Sequence, residues 1–113
     1  MTLPLVSVII PTYNRKNYIQ DAIDSVLQQT YKNIELIIVD DGSTDGTGEL
    51  IRNKYKGMLN YIWQENQERS AARNRGMNIA KGDYIAFLDS DDYWERNKLA
   101  QMVPLLQDEN NFD

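Results

Sequence analysis

Residues 34–43 read IELIIVDDGS. Five of the first seven are large and apolar, and most of those are β-branched, so 34–40 is a strand buried on both faces rather than a half-exposed one. Asp41-Gly42-Ser43 then reads as a tight turn, with Ser43 able to cap a following helix. Doubly buried strands belong to parallel sheets covered by helices. Working outward, similar runs recur at residues 6–11 (VSVIIP), 60–64 (NYIWQ) and 84–88 (YIAFL). Between the first two, apolar residues fall at Ile19, Ala22, Ile23, Val26 and Leu27, the stripe of an amphipathic helix from Tyr18. Asn17 is placed to cap it, with Gln20 completing a capping box. A second helix is expected around residues 47–54, capped by Ser43, Thr44 or Asp45 and weakened at its start by Gly46 and Gly48. A third, residues 70–80, is capped by Ser70, is rich in Ala and Arg but short of large apolar residues, and ends at Lys81-Gly82-Asp83. A last helix from about Arg96 presents Leu99, Met102, Val103 and Leu106, with Pro104 expected to kink it or end it early. The alternation predicts an α/β fold, a parallel sheet with helices on both faces.

Composition narrows the chemistry. The 113 residues suit one domain or part of one. Cysteine and histidine are absent, which removes structural zinc, iron–sulfur and haem ligation, thiol catalysis, disulfides and any Ser-His-Asp triad. A net charge of −5 argues against a nucleic-acid partner. No apolar run approaches the roughly 20 residues of a membrane span. The start, MTLPLVSVII, has Pro4 and no basic region, so it does not read as a signal peptide. Carboxylates are the only plentiful metal ligands, and carboxylates without imidazole or thiolate suit Mg2+ or Mn2+.

Ligands of open α/β sheets bind outside the carboxyl ends of the strands. Three strands end in polar clusters there: Pro11-Thr12-Tyr13-Asn14, Asp40-Asp41-Gly42-Ser43 and Asp89-Ser90-Asp91-Asp92. Alternation turns Asp89 and Asp91 the same way, so the pair can hold a divalent ion whose other positions diphosphate oxygens fill. An isolated Asp-x-Asp is more often a solvated turn, but this one follows a buried strand. It is no EF-hand, since Tyr93 and Trp94 stand where that loop needs a ligand and a glycine. One of Asp40 and Asp41 should point to the sheet edge and accept from a base N–H or a ribose hydroxyl. Tyr13 is either a loop aromatic packed on the core or a platform for a base. Arg73, Asn74 and Arg75 read as a solvated helix face or as cations for a diphosphate.

These residues, VSVIIPTYNRKNYIQDAIDSVLQQTYKNIELIIVDDGSTDGT and then SAARNRGMNIAKGDYIAFLDSDD, resemble glycosyltransferase family two, whose catalytic domain has the GT-A fold. The resemblance runs from about residue 6 to residue 106, with four motifs in order. It implies a Rossmann-like GT-A sheet of about four mostly parallel strands with helices on both faces. It also implies a nucleotide site at Pro11, Thr12, Tyr13, Asn14, Asp40, Asp41, Arg73, Asp89 and Ser90. Pro11 and Tyr13 contact the base, Asp41 accepts from the base edge, and Arg73 lies near the diphosphate. Asp91 is the implied direct ligand of Mn2+ or Mg2+, with Asp89 on the ribose or beside the metal. One position departs: where the family commonly has a glycine two residues after the match to Asn66, this chain has Glu68, so a differently shaped loop is expected.

The activity implied is inverting transfer of a sugar from a nucleotide-diphosphate donor, UDP ahead of GDP or dTDP, to an acceptor hydroxyl on a glycan or lipid-linked sugar. Such domains run to about twice this length. Residues 1–113 therefore read as the N-terminal donor-binding part, truncated, with the acceptor half, a further metal ligand and the carboxylate base beyond residue 113. This part should bind donor with little transfer. A cytoplasmic location is implied, peripheral on the inner membrane face in the full-length protein, and the cut sheet edge offers a route to a homodimer. Two other functions compete. A haloacid-dehalogenase-like phosphatase would use Asp89 as nucleophile and Asp91 as acid, but that family carries its motif on the first strand. A non-catalytic nucleotide-binding or interaction module would keep the sheet without the chemistry.

Overall fold

The computed structural model describes residues 3–67 and 69–108. Strands β1 (Val6–Thr12), β2 (Ile34–Asp40), β3 (Asn60–Trp63) and β4 (Tyr84–Phe87) alternate with helices α1 (Lys16–Leu27), α2 (Thr47–Lys54), α3 (Arg69–Ile79) and α4 (Lys98–Gln107). The sheet order is β3-β2-β1-β4 and every pairing is parallel. The chain moves outward from β1 through β2 to β3, then crosses back to add β4 on the other side of β1. This reversal of strand order opens a crevice at the carboxyl ends of the strands.

Alternation along the central strands sends each residue to one of two cores. Val6, Val8, Ile10, Leu36 and Ile38 pack with Ile19, Ile23 and Val26 of α1, Ile51 of α2, and Leu99 and Val103 of α4. Ile9, Ile37 and Val39 face the other way and pack on Ala72 and Ile79 of α3. The scarcity of large side chains on α3 has a steric reason. A Cβ at Gly76 would lie 2.6 Å from Ile9 Cγ2, so the helix approaches the sheet more closely than a side chain there allows.

The helix starts depart from the expected caps. α1 begins at Lys16 after Arg15 and has no side-chain cap of its own, so Asn17 is inside the helix and no capping box forms with Gln20. The cap comes from the next loop, where Asp45 Oδ2 accepts from Lys16 N at 3.1 Å. The other oxygen of Asp45 accepts from Thr47 N at 3.1 Å and from the Thr47 hydroxyl at 2.5 Å, at the start of α2. Burial pushes the Asp45 carboxyl up, but the Thr47 hydroxyl and the N–H groups of Lys16 and Thr47 outweigh it and hold the acid below its ordinary range. Ser70, expected as the cap of α3, is its second residue. Pro104 does not end α4, which continues to Gln107.

Candidate functional site

The loops after β1 and β2 are tied to each other. Asn14, at φ 50, donates its N–H to Ser43 Oγ (2.8 Å), and its Oδ1 accepts from Thr44 N (2.8 Å). Asp41 N donates to Thr12 O at 2.9 Å, continuing the ladder past the end of β2. Asp40 has no exposed surface. Its Oδ1 accepts from Ser43 N (2.9 Å) and its Oδ2 from the Tyr61 hydroxyl (2.5 Å). Burial, and then the bond to Asp40 and its charge, push the Tyr61 phenol well above its ordinary range.

The loop after β3 closes over the turn that follows. Gln64 Nε2 and Gln67 N donate to Asp41 Oδ1 at 2.8 and 3.0 Å, and Asn66 Nδ2 donates to Asp41 O at 2.9 Å. Gly42, at φ +90, permits this: a Cβ there would meet Asn66 N at 2.8 Å, and the left-handed backbone disfavours any side chain. Glu68, the departure noted in the sequence, lies outside the described residues.

A cavity of about 400 Å³ opens at this edge, lined by Pro11, Thr12, Tyr13, Asp41, Arg73, Asp89, Ser90 and Asp91, together with Arg15, Asn66, Gln67 and Ala72. The first eight were expected from the sequence. Asn14 and Asp40 were also expected, but they do not line the cavity: Asn14 clasps the two loops, and Asp40 anchors the turn from beneath. Arg15, Asn66, Gln67 and Ala72 were not singled out. Arg15 directly follows the Pro11–Asn14 cluster, a proximity that could have suggested it. Asn66 and Gln67 enter only through the fold of the loop after β3.

Several side chains in the cavity have polar capacity left over. Thr12 Oγ1 and Arg73 Nε are buried without a hydrogen-bond partner among the described residues. The Arg73 guanidinium lies 5.4 Å over the Phe87 ring and 3.6 Å from Asp89 Oδ1, so stacking and an ion pair hold it at the cavity wall. Tyr13, which lines the cavity, is 47% exposed. No group of three or more carboxylates that could hold a metal forms among the described residues. The site instead offers Asp89 and Asp91, hard oxygen ligands that leave most of a coordination sphere to a ligand and water. That donor set fits Mg2+ or Mn2+ bound through one or two carboxylates and substrate phosphates.

A doubly covered parallel sheet with a polar, partly unsatisfied crevice at its reversal point defines an α/β domain with a candidate ligand site at its strand ends. The profile of "Glycosyl transferase family 2" matches residues 7–112, and the chain belongs to this family. Over 112 residues it is 47% identical to the Escherichia coli UDP-Glc:alpha-D-GlcNAc-diphosphoundecaprenol beta-1,3-glucosyltransferase WfaP, covering 97% of this chain and 44% of that protein. The fold is that of GT-A glycosyltransferases. The mannosyltransferase PcManGT from Pyrobaculum calidifontis, solved with GDP-Man and Mn2+, superposes with a TM-score of 0.81 at 33% identity, covering 94% of this chain and 33% of that one. S. aureus TarS 1-349, solved with UDP, superposes at 0.77 with 32% identity, covering 90% and 32%. The chain thus spans less than half the length of each of these proteins. Family membership removes the phosphatase alternative.

Proposed function

We propose that residues 1–113 are the donor-binding part of an inverting, divalent-metal-dependent glycosyltransferase. It takes a sugar from a nucleotide-diphosphate donor, a UDP-sugar, to a hydroxyl of a glycan or lipid-linked sugar. The observation that carries this reading is the cavity at the strand ends, where a base platform, a buried carboxylate, an arginine and two acidic ligands face one space. Tyr13 stacks on the base and Asp41 accepts from its edge. Thr12 Oγ1 and Arg73 Nε, both buried without partners among the described residues, take up polar atoms of the ribose and diphosphate. Arg73 adds fixed positive charge where the leaving diphosphate becomes more anionic. Asp91, with Asp89, would hold Mn2+ or Mg2+, which when bound acts as a Lewis acid on that leaving group.

No general base is assigned within this chain. Inversion needs one on the acceptor side, so this part binds donor with little transfer. A lipid-linked acceptor, such as the one in the name of the E. coli relative, fits a cytoplasmic protein peripheral to the inner membrane face. The side of β4 that has no strand partner among the described residues, with Ile85 42% and Phe87 37% exposed, fits pairing with a second copy.

The test is calorimetric titration of UDP with and without Mn2+, repeated with Asp91→Ala. The expected result is binding that needs the metal and is lost in the variant. A chain that binds neither UDP nor GDP in the presence of Mn2+ refutes the reading. Metal-independent binding unaffected by Asp91→Ala favours the non-catalytic module.

A further inference from the structure

Asp41 does not stand alone at the cavity wall. Gln64, 6% exposed, donates through Nε2 to Asp41 Oδ1 at 2.8 Å, while its Oε1 accepts from Arg75 Nη1 at 3.4 Å. The amide orientation is dictated by chemistry: arginine can only donate and an ionised carboxylate can only accept, so one orientation serves both neighbours. Gln67 N adds a second donor to the same Oδ1 at 3.0 Å. Oδ2, by contrast, has among the described residues only a long contact from Asn66 Nδ2 at 3.4 Å. Asp41 is therefore a one-sided acceptor, with one oxygen saturated by fixed donors and the other with capacity left. Gln64 does not itself line the cavity, whereas Asp41 does.

We propose that Gln64, steadied by Arg75, is a positioning residue that fixes Asp41 to accept a ring N–H and thereby sets a preference for uracil over cytosine. The inference rests on reading the cavity as a nucleotide site. Uracil presents N3–H, a donor that the free carboxylate oxygen can take. Cytosine presents a lone pair at N3, which would face the carboxylate with no proton between them. A carboxylate free to rotate or withdraw would discriminate less, because a bond to a charged partner depends on alignment.

The experiment measures UDP and CDP affinities with Mn2+ for the parent chain and for Gln64→Met, Gln64→Glu and Arg75→Met, with folding followed by circular dichroism melts. Met keeps the length and loses both bonds. Glu keeps the shape and the arginine contact but cannot donate to Asp41. Both should lower UDP affinity by about tenfold or more, the scale of a charged hydrogen bond, with little change for CDP, so the UDP/CDP ratio collapses. Arg75→Met should lower the ratio less, in the same direction. Should Gln64→Met not fold, Gln64→Glu and the exposed Arg75→Met carry the test. A folded Gln64 variant with an unchanged ratio, or one that loses both nucleotides equally, overturns the inference. A parent that binds UDP and CDP alike overturns it while leaving the donor-site reading intact. A parent that binds no nucleoside diphosphate overturns both.

Discussion

Tyr61→Phe removes a single hydroxyl and tests how the acidic turn is held. In the native chain that hydroxyl donates at 2.5 Å to Oδ2 of an aspartate with no exposed surface. The ring itself stays in place, packed under α2 against Gly48, where a Cβ would meet the hydroxyl oxygen at 2.6 Å, and beneath Arg52 at 5.5 Å. The variant therefore costs little packing. It leaves a buried carboxylate oxygen without its donor, and a hydrogen bond to a charged group is worth about 1.5–3 kcal/mol. The expected loss is about 2–3 kcal/mol, equivalent to roughly 10–20 °C in melting temperature for a domain of this size. Urea denaturation at pH 7 measures it, with Asp40→Asn completing a double-mutant cycle whose coupling should exceed about 1 kcal/mol. The pH dependence follows in sign. The folded phenol lies above its ordinary value of 10.0, so the folded state holds that proton more tightly. The stabilisation is complete below that pH and declines as pH rises through the folded value. The deficit of Tyr61→Phe should therefore shrink in alkaline buffer. A loss below about 0.5 kcal/mol, the level of an ordinary surface substitution, would show that Asp40 is satisfied without Tyr61 and refute the anchoring argument.

Gly76→Ala places a methyl 2.6 Å from Ile9 Cγ2 at the contact between α3 and the sheet. Overpacking of this kind costs about 1–3 kcal/mol and should outweigh the gain in helix propensity, so the urea midpoint should fall. A more stable variant would mean that the helix rides freely on the sheet. At the far edge, sedimentation velocity at rising concentration should detect dimers that Ile85→Lys abolishes, since a charge on an edge strand opposes pairing. A chain that stays monomeric at every concentration removes the second-copy reading.

The architecture was legible because burial and local pattern coincide in it. IELIIVD reads as a doubly covered strand, and the third helix already reads as short of large apolar residues, although only the fold shows the close approach at Gly76 that requires this. The three polar strand ends were legible for the same reason, since parallel strands bring their carboxyl ends to one edge. What local pattern could not supply is the direction of a polar side chain once its strand ends. Asp40 and Asp41 are adjacent and identical in type. Asp40 keeps the alternation of its strand and points with Ile38 into the α2 side of the sheet, where Tyr61 takes it. Asp41, one residue on, lines the cavity. The partner that separates their fates lies 21 residues downstream for Asp40 and 23 for Asp41. The same limit explains α1, whose cap Asp45 lies 29 residues away, so a local search settles on Asn17 instead. In each case the deciding contact joins two loops at the same end of a parallel sheet. Loops that meet there are separated in sequence by a whole strand–helix unit. The side chains that tune a site of this kind should accordingly be sought at the ends of the neighbouring strands rather than beside the motif, which is where Gln64 lies.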